Sequence, residues 1–407
     1  MRVLFVTHLF PYPPADGGRI GFFNPLKYLS RRMEIVLVSF RDSEPEEFVH
    51  EMKRYCLDVK VHTVPQSPYV GLLRGMFADP PGSYAKYLDK KFARLVQNTA
   101  RQWKVNLAEF QCLHTAEYRS WVDGIPIILR EHNVDYKLWE RQAEYANSIW
   151  ERIYVSRVAP RVKAYEARVA PEFERCIMVS EADANHLREI APTARIEAIP
   201  SGVDTEFFLP DPNTQEESFS IVMTGGFAWQ PKQHNLRVLL TEVYPRIKAR
   251  VPNVTLSVVG KGAPSELRQL ANSIPGVTMI GEVPDVRPYV HKAALAINYV
   301  ESGGGIALKV LEAMAMRKPV LSTSLGCEGI KVRHGEDVFL ADGAESFAEA
   351  SVLLLQSNGI RQRIAEGGHR LVRQTYAWDR LAGQFEDCYA AVLSERQATA
   401  AVGHSPA

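Results

Sequence analysis

Short apolar strands alternate with helical segments, and the alternation starts again after residue 218. This predicts an α/β protein made of two Rossmann-like doubly wound parallel-sheet domains. Three observations carry the prediction. The strands are near-continuous apolar runs, helical patterns lie between several of them, and a stretch with little periodicity separates the two series. Runs that are apolar on both faces belong to parallel sheets covered by helices.

The first series opens with "RVLFVT" (2–7), which runs into a Pro- and Gly-rich loop. "EIVLVSF" (34–40), "DVKVHTV" (58–64), "IPIILRE" (125–131), "RCIMVS" (175–180) and "RIEAIP" (195–200) follow, with helical patterns such as 21–32 and 89–103. Residues 1–205 form the expected N-terminal domain. Within "SGVDTEFFLPDPNTQEES" (201–218), residues 206–218 read as a linker, with two prolines and clustered acids. The second domain, 219–377, has strands at 219–225, 254–260, 277–281, 294–300, 319–324 and 338–341. Its helices are expected at 233–250, 264–273, 306–316, 345–356 and 359–374. An amphipathic segment at 378–396 and a disordered tail at 397–407 close the chain. Ligands bind at the carboxyl ends of strands in such sheets, so a central cleft faced by both domains is expected.

Composition narrows the class. The 407 residues are too many for one ordinary core and enough for two. With 46% hydrophobic and 23% charged residues, the chain reads as globular. A formal net charge of +1 offers no global field for nucleic acid. The five cysteines (Cys56, Cys112, Cys176, Cys327, Cys388) form no C-x-x-C pair, which fits a reducing cytoplasm. The opening residues do not read as a signal peptide, and no apolar run is long enough to span a bilayer.

The chemistry concentrates in "SGGGIALKVLEAMA" (302–315). Gly303, Gly304 and Gly305 let the backbone approach a ligand closely, and a helix follows. Free N–H groups and the positive helix end suit phosphate. Lys309 and Glu312 are three apart and share a face. Lysine supplies a point charge for a diphosphate. A carboxylate suits vicinal hydroxyls such as those of a ribose. The bland alternative is an intrahelical ion pair on a solvated face, which the apolar flanks disfavour. Gly17, Gly18 and Arg19 lie in a second glycine loop, "ADGGRIG" (15–21), after the first strand. His132 ends another strand in "REHNVD" (130–135), and Lys232 lies in "GGFAWQPKQHN" (225–235). Residues 69–104 interleave aromatics with Arg74, Lys86, Lys90, Lys91, Arg94, Arg101 and Lys104. That pattern suits a solvated helix or, less often, a face for anionic membrane lipids. No tight metal motif, nucleophile elbow or G-x-x-x-x-G-K-[ST] loop occurs.

These motifs, in this order, resemble the retaining glycosyltransferases of family 4 (GT4), which have the GT-B architecture. The resemblance spans residues 1 to about 395. It rests on the opening strand and glycine loop, "EHNVDYKLWERQ", "VSEADANHL", "IPSGVDTEFF", "GGGIALKVLEAMAMRKPVLSTSLGCEGI" and "YAWDRLAGQFEDCY". It implies sugar transfer from a nucleotide diphosphate sugar, bound mainly by the second domain, to a glycan, lipid-linked or small-molecule acceptor. It implies that 378–396 crosses back to the acceptor-side N-terminal domain. By resemblance, Glu312 holds the ribose and His132 lies near the transferred sugar, as the two catalytic candidates. Lys232, Gly303, Gly304, Gly305, Lys309 and Glu312 form the donor site, and Gly17, Gly18 and Arg19 the acceptor and diphosphate loop. No tightly bound cofactor and no essential divalent metal are expected. Many members carry a second glutamate eight positions before Glu312, where this chain has Gly304. The G-G-G-x-x-x-K-x-x-E pattern resembles a subgroup associated with surface-polysaccharide assembly. The alternatives are a GT-B-type nucleotide-sugar epimerase and a non-catalytic nucleotide-sugar-binding subunit. The expected setting is the cytoplasm, including the inner face of the membrane.

Overall fold

A computed structural model describes residues 1–64, 75, 77–144, 149–303 and 306–402. The chain divides into two compact units, Met1–Pro200 with Leu381–Ala407, and Ser201–Arg380. Each contains one wholly parallel sheet.

The sheet of the first unit has seven strands. They are β1 (Arg2–Thr7), β2 (Glu34–Arg41), β3 (Asp58–Thr63), β4 (Leu107–Gln111), β5 (Ile127–Glu131), β6 (Arg175–Met178) and β7 (Ile196–Ala198). Their order is β3-β2-β1-β4-β5-β6-β7, so the direction of winding reverses between β1 and β4. Val3 to Phe5 of β1 pair in register with Leu107 to Glu109 of β4. Strand β4 lies outside the expected set. Its sequence, "LAEFQ", places Glu109 and Gln111 fully inside the sheet. Two polar residues in five hide the apolar signature of a central strand.

Buried polar groups need partners. Glu109 accepts hydrogen bonds from Gln111 and from the Tyr389 hydroxyl. Tyr389 belongs to the last helix, Trp378–Val402. That helix buries Leu381, Phe385, Tyr389 and Val392, a stripe at helical spacing. Arg130 of β5 is fully buried, with its guanidinium 5.0 Å from the Phe385 ring. The helix runs on to Val402, beyond the expected end at 396, and residues 403–407 lie outside the described residues.

The second unit holds β8 (Glu217–Thr224), β9 (Thr255–Val259), β10 (Val277–Gly281), β11 (Ala293–Asn298), β12 (Val320–Ser322) and β13 (Phe339–Leu340). Their order is β10-β9-β8-β11-β12-β13, with the reversal between β8 and β11. The segment read as a linker is packed against this unit. Asp204 accepts from the N–H groups of Glu206 and Phe207, and the Arg287 guanidinium lies 3.7 Å from the Phe207 ring. Among the described residues no helix is long and apolar enough to cross a membrane.

The helix Lys90–Trp103 turns Phe92, Ala93, Val96, Thr99 and Ala100 inward. Lys90, Lys91, Arg94 and Arg101 stay exposed. In the described part of the basic, aromatic stretch, Tyr84 and Phe92 lie in the core, while Phe77, 78% exposed, and the cations face solvent. Arg74 lies outside the described residues.

Candidate functional site

In the second unit, two loops leave neighbouring strands at the winding reversal. One follows β8 and leads into the helix Gln230–Val238. The other follows β11 and leads into the helix Leu308–Ala315. A doubly wound sheet places its ligand crevice at such a point. Gly304 and Gly305 lie outside the described residues.

The helix Leu308–Ala315 buries Val310, Leu311, Ala313, Met314 and Ala315. Lys309 and Glu312 fall on its remaining face, each half-buried. Its N-cap is Ala307, which has no side-chain oxygen, so no side chain caps the first turn. Lys309 reaches over the end of β8. Its Nζ lies 2.9 Å from where a Cβ on Gly225 would stand.

The spacing of Lys309 and Glu312 would allow an ion pair, yet neither forms an ion pair or a side-chain hydrogen bond among the described residues. Burial, with Lys232 nearby, pushes the Lys309 ammonium down to about 8, against the pull of Glu312. Burial pushes the Glu312 carboxyl up to about 7, opposed by Lys309. Lys232 is exposed by area, but enough protein surrounds its stem to lower its pKa as well.

The start of the second loop is held tightly. The Asn235 amide, 3% exposed, donates to Ser302 O at 2.9 Å. Its Oδ1 accepts from Glu301 N at 3.1 Å and from Ser302 N and Oγ, each at 3.2 Å. Gly303 follows with φ +105°, a region that favours glycine. A Cβ there would stand 3.3 Å from the Trp229 ring. Glu301 accepts from the Tyr299 hydroxyl and lies 3.7 Å from the His234 ring.

In the first unit, Gly17 and Gly18 are not a free loop. They open the helix Gly17–Leu29, whose N-cap is Asp16. Arg19 is committed: its guanidinium contacts Asp16 at 2.7 Å and Glu44 at 2.8 Å, and its Nε donates to Phe10 O. The same helix carries Gly21. A Cβ there would lie 2.5 Å from the His132 ring, so only glycine lets this helix pass beside His132.

His132 stands at the end of β5, 4.6 Å from the Phe22 ring. Its Nε2 is buried without a hydrogen-bond partner among the described residues. Burial, reinforced by Arg130 and His8, holds it well below the usual imidazole range, so it is neutral at pH 7. His8 after β1 and His114 after β4 stack at 4.0 Å, and burial lowers both, His8 to about 4. Glu131 and Glu166 lie buried, and Asp135 half-buried, near this end of the sheet. Burial raises all three, Asp135 to about 6 and Glu166 to about 8. Among the described residues no group of three or more His, Cys, Asp or Glu could hold a metal ion.

Sequence reasoning missed Trp229, Asn235, Gly21, His8 and His114. Gly21 was visible as the third glycine of "GGRIG". The others are single residues whose roles depend on partners far along the chain.

Two parallel-sheet units of this kind define the GT-B class of glycosyltransferases. Solved structures agree on the fold. Anabaena HepE in complex with UDP and glucose matches with TM-score 0.70 and 16% identity, over 96% of this chain and all of that one. Thermosynechococcus elongatus sucrose-phosphate synthase matches with TM-score 0.74 and 17% identity, over 97% and 100%. Family models match in tandem: "Glycosyltransferase Family 4" over residues 17–207 and "Glycosyl transferases group 1" over 218–357. The chain belongs to the group 1 glycosyltransferases.

Among curated relatives, an uncharacterized 44.6 kDa protein of the Klebsiella pneumoniae cps region is 21% identical, over 92% of this chain and 96% of that protein. A GDP-mannose-dependent phosphatidylinositol monomannoside mannosyltransferase of Mycobacterium tuberculosis is 29% identical, over 48% of this chain and 56% of that protein.

Proposed function

We propose that this glycosyltransferase moves a sugar from a nucleoside diphosphate donor to an acceptor hydroxyl, with retention, in surface-polysaccharide or glycoconjugate assembly. One observation carries the reading. Lys309 and Glu312 are half-buried, opposite in charge and, among the described residues, unpaired on one helix face. A ligand with an anionic diphosphate beside a vicinal diol would satisfy both. The UDP in the HepE structure and the GDP-mannose of the mycobacterial relative support a nucleotide-sugar donor. The cps-region relative supports the polysaccharide setting.

Lys309, Lys232 and the amides of the uncapped helix start hold the diphosphate, with Gly303, Gly304 and Gly305 giving the backbone access. Glu312 accepts the ribose hydroxyls. The bond between the anomeric carbon and the diphosphate oxygen breaks, and the acceptor oxygen bonds to the same carbon on the same face. The acceptor proton leaves with the departing phosphate. Charge builds on the diphosphate, where these cations already stand, which is the most effective place for fixed charge. This site supplies the positive charge without an essential divalent metal. His132, kept neutral, serves catalysis as a hydrogen-bonding group for the transferred sugar. Gly17 and Gly18 leave the start of their helix open to the acceptor. Arg19 is bound to two carboxylates, and we assign it to holding that start. The five buried free thiols suit the cytoplasm.

A thermal-shift screen tests the donor site. UDP-, GDP-, TDP- and CMP-sugars are offered to the wild type, Glu312→Ala and Lys309→Ala. A nucleotide at 100 times its Kd adds about 2.7 kcal/mol of stability. The expected result is a shift by one nucleotide class that both variants lose. No shift by any of the four would sink the reading. The anomeric proton of the product reports retention.

A further inference from the structure

We propose that Trp229 is the wall against which the transferred sugar of the donor lies, and that Asn235 is the positioning residue that holds this wall. The inference rests on the donor site proposed above and adds a sugar subsite to it.

The order of groups along the second loop and its helix sets the argument. Glu312 stands one helical turn beyond Lys309, about 5 Å farther from the glycines. Gly303 lies on the other side of Lys309. A diphosphate on Lys309 with its ribose on Glu312 therefore directs its sugar toward Gly303. What stands there is the Trp229 ring, together with Pro231. Trp229 is 38% exposed, an open aromatic surface at a loop otherwise built for an anion. A pyranose presents flat C–H faces, and an aromatic ring receives them without needing a charge. The residue eight before Glu312 is Gly304, which has no side chain to hold sugar hydroxyls.

Asn235 makes this arrangement rigid. Its four hydrogen bonds fix the backbone of Glu301 and Ser302, which leads directly into Gly303. Asn235 and Pro231 lie on the helix Gln230–Val238, and Trp229 is its N-cap. One buried amide thus ties the glycine loop to the segment that carries the ring.

Calorimetric titration of UDP, GDP, UDP-glucose and GDP-mannose into the wild type, Trp229→Ala, Trp229→Phe, Asn235→Ala and Asn235→Asp tests this. The measured quantity is the affinity ratio of nucleotide sugar to parent diphosphate. Trp229→Ala is expected to lower the ratio roughly tenfold. Trp229→Phe keeps a ring and is expected to stay near the wild type. Asn235→Ala lowers the ratio, and Asn235→Asp, which keeps the Oδ1 acceptor, restores part of it. Circular dichroism melting checks that each variant is folded. Equal weakening of diphosphate and sugar nucleotide in Trp229→Ala would overturn the inference, as would no change in either. If the wild type binds none of the four, the donor site falls and the inference with it. If it binds diphosphates through Lys309 but is indifferent to Trp229, only the inference falls.

Discussion

Lys309 and Glu312 titrate close to neutrality, and on opposite sides of their useful states. In the proposed donor site Glu312 must be ionised to accept hydroxyls, and its pKa is raised to about 7. Lys309 must be protonated to hold phosphate, and its pKa is lowered to about 8. Below the first value the carboxylate gains a proton, and above the second the ammonium loses one. Affinity for a nucleoside diphosphate is therefore expected to be greatest between about 7 and 8 and to fall on both sides. Lys309→Arg keeps its charge at all these values. Titrations across pH should show its alkaline decline flattened; an unchanged decline would remove Lys309 from the phosphate site. The three-residue spacing of this pair was legible in the sequence. Its lack of an ion pair was not, because that depends on Lys309 reaching across to Gly225. Arg19 shows the reverse: a cation beside two glycines suggested a ligand contact, but Asp16 and Glu44 neutralise it.

Most elements were legible because their patterns are local. Strand β4 was not, since Glu109 and Gln111 break its apolar run and are tolerated through their own hydrogen bond and a contact made far along the chain. The distant donor to Glu109 is Tyr389, 280 residues away. The helix Trp378–Val402 thus does more than cover apolar surface. Tyr389→Phe would leave a buried carboxyl without that donor, at a cost of about 1–3 kcal/mol. The expected readout is a lower melting temperature for the first unit. Glu386→Ala, on the same helix, removes only an exposed pairing with Arg32 and is expected to change stability by less than about 1 kcal/mol.

The two units should respond differently to pH and to ligand. In the first, burial raises Glu109 to about 7, Asp135 to about 6, Glu166 to about 8 and Glu131 well above the usual range. Folded pKa values above unfolded ones mean that the folded unit holds more protons across that interval. These carboxyls make stability fall as pH rises from the unfolded carboxyl range, near 4 to 4.5, toward about 8. Burial holds His8, His114 and His132 below their unfolded value near 6.5, which makes stability rise up to about that value; above it the carboxyls alone set the trend. Scanning calorimetry at pH 7 and pH 8 should show the first unit melting earlier at the higher pH, and a later melting there would refute the account. A bound nucleotide should raise the transition of the second unit, which carries Lys309 and Glu312. The repeated alternation of strands and helices revealed two units. The sequence did not reveal that residues 201–216 pack with the second, because Arg287 and Asp204 hold them through particular side-chain contacts.

The first unit is written in two pieces of chain, with the whole second unit between them. A ribosome therefore makes its sheet early and its closing helix last. At roughly 5–20 residues per second, the nascent sheet waits on the order of ten seconds or more for Leu381, Phe385 and Tyr389 to emerge. Throughout that time Glu109 and Arg130 lack the helix that covers them, and the apolar surface under it is open to other chains. Chaperone demand during synthesis should accordingly fall on the half of the protein that is translated first.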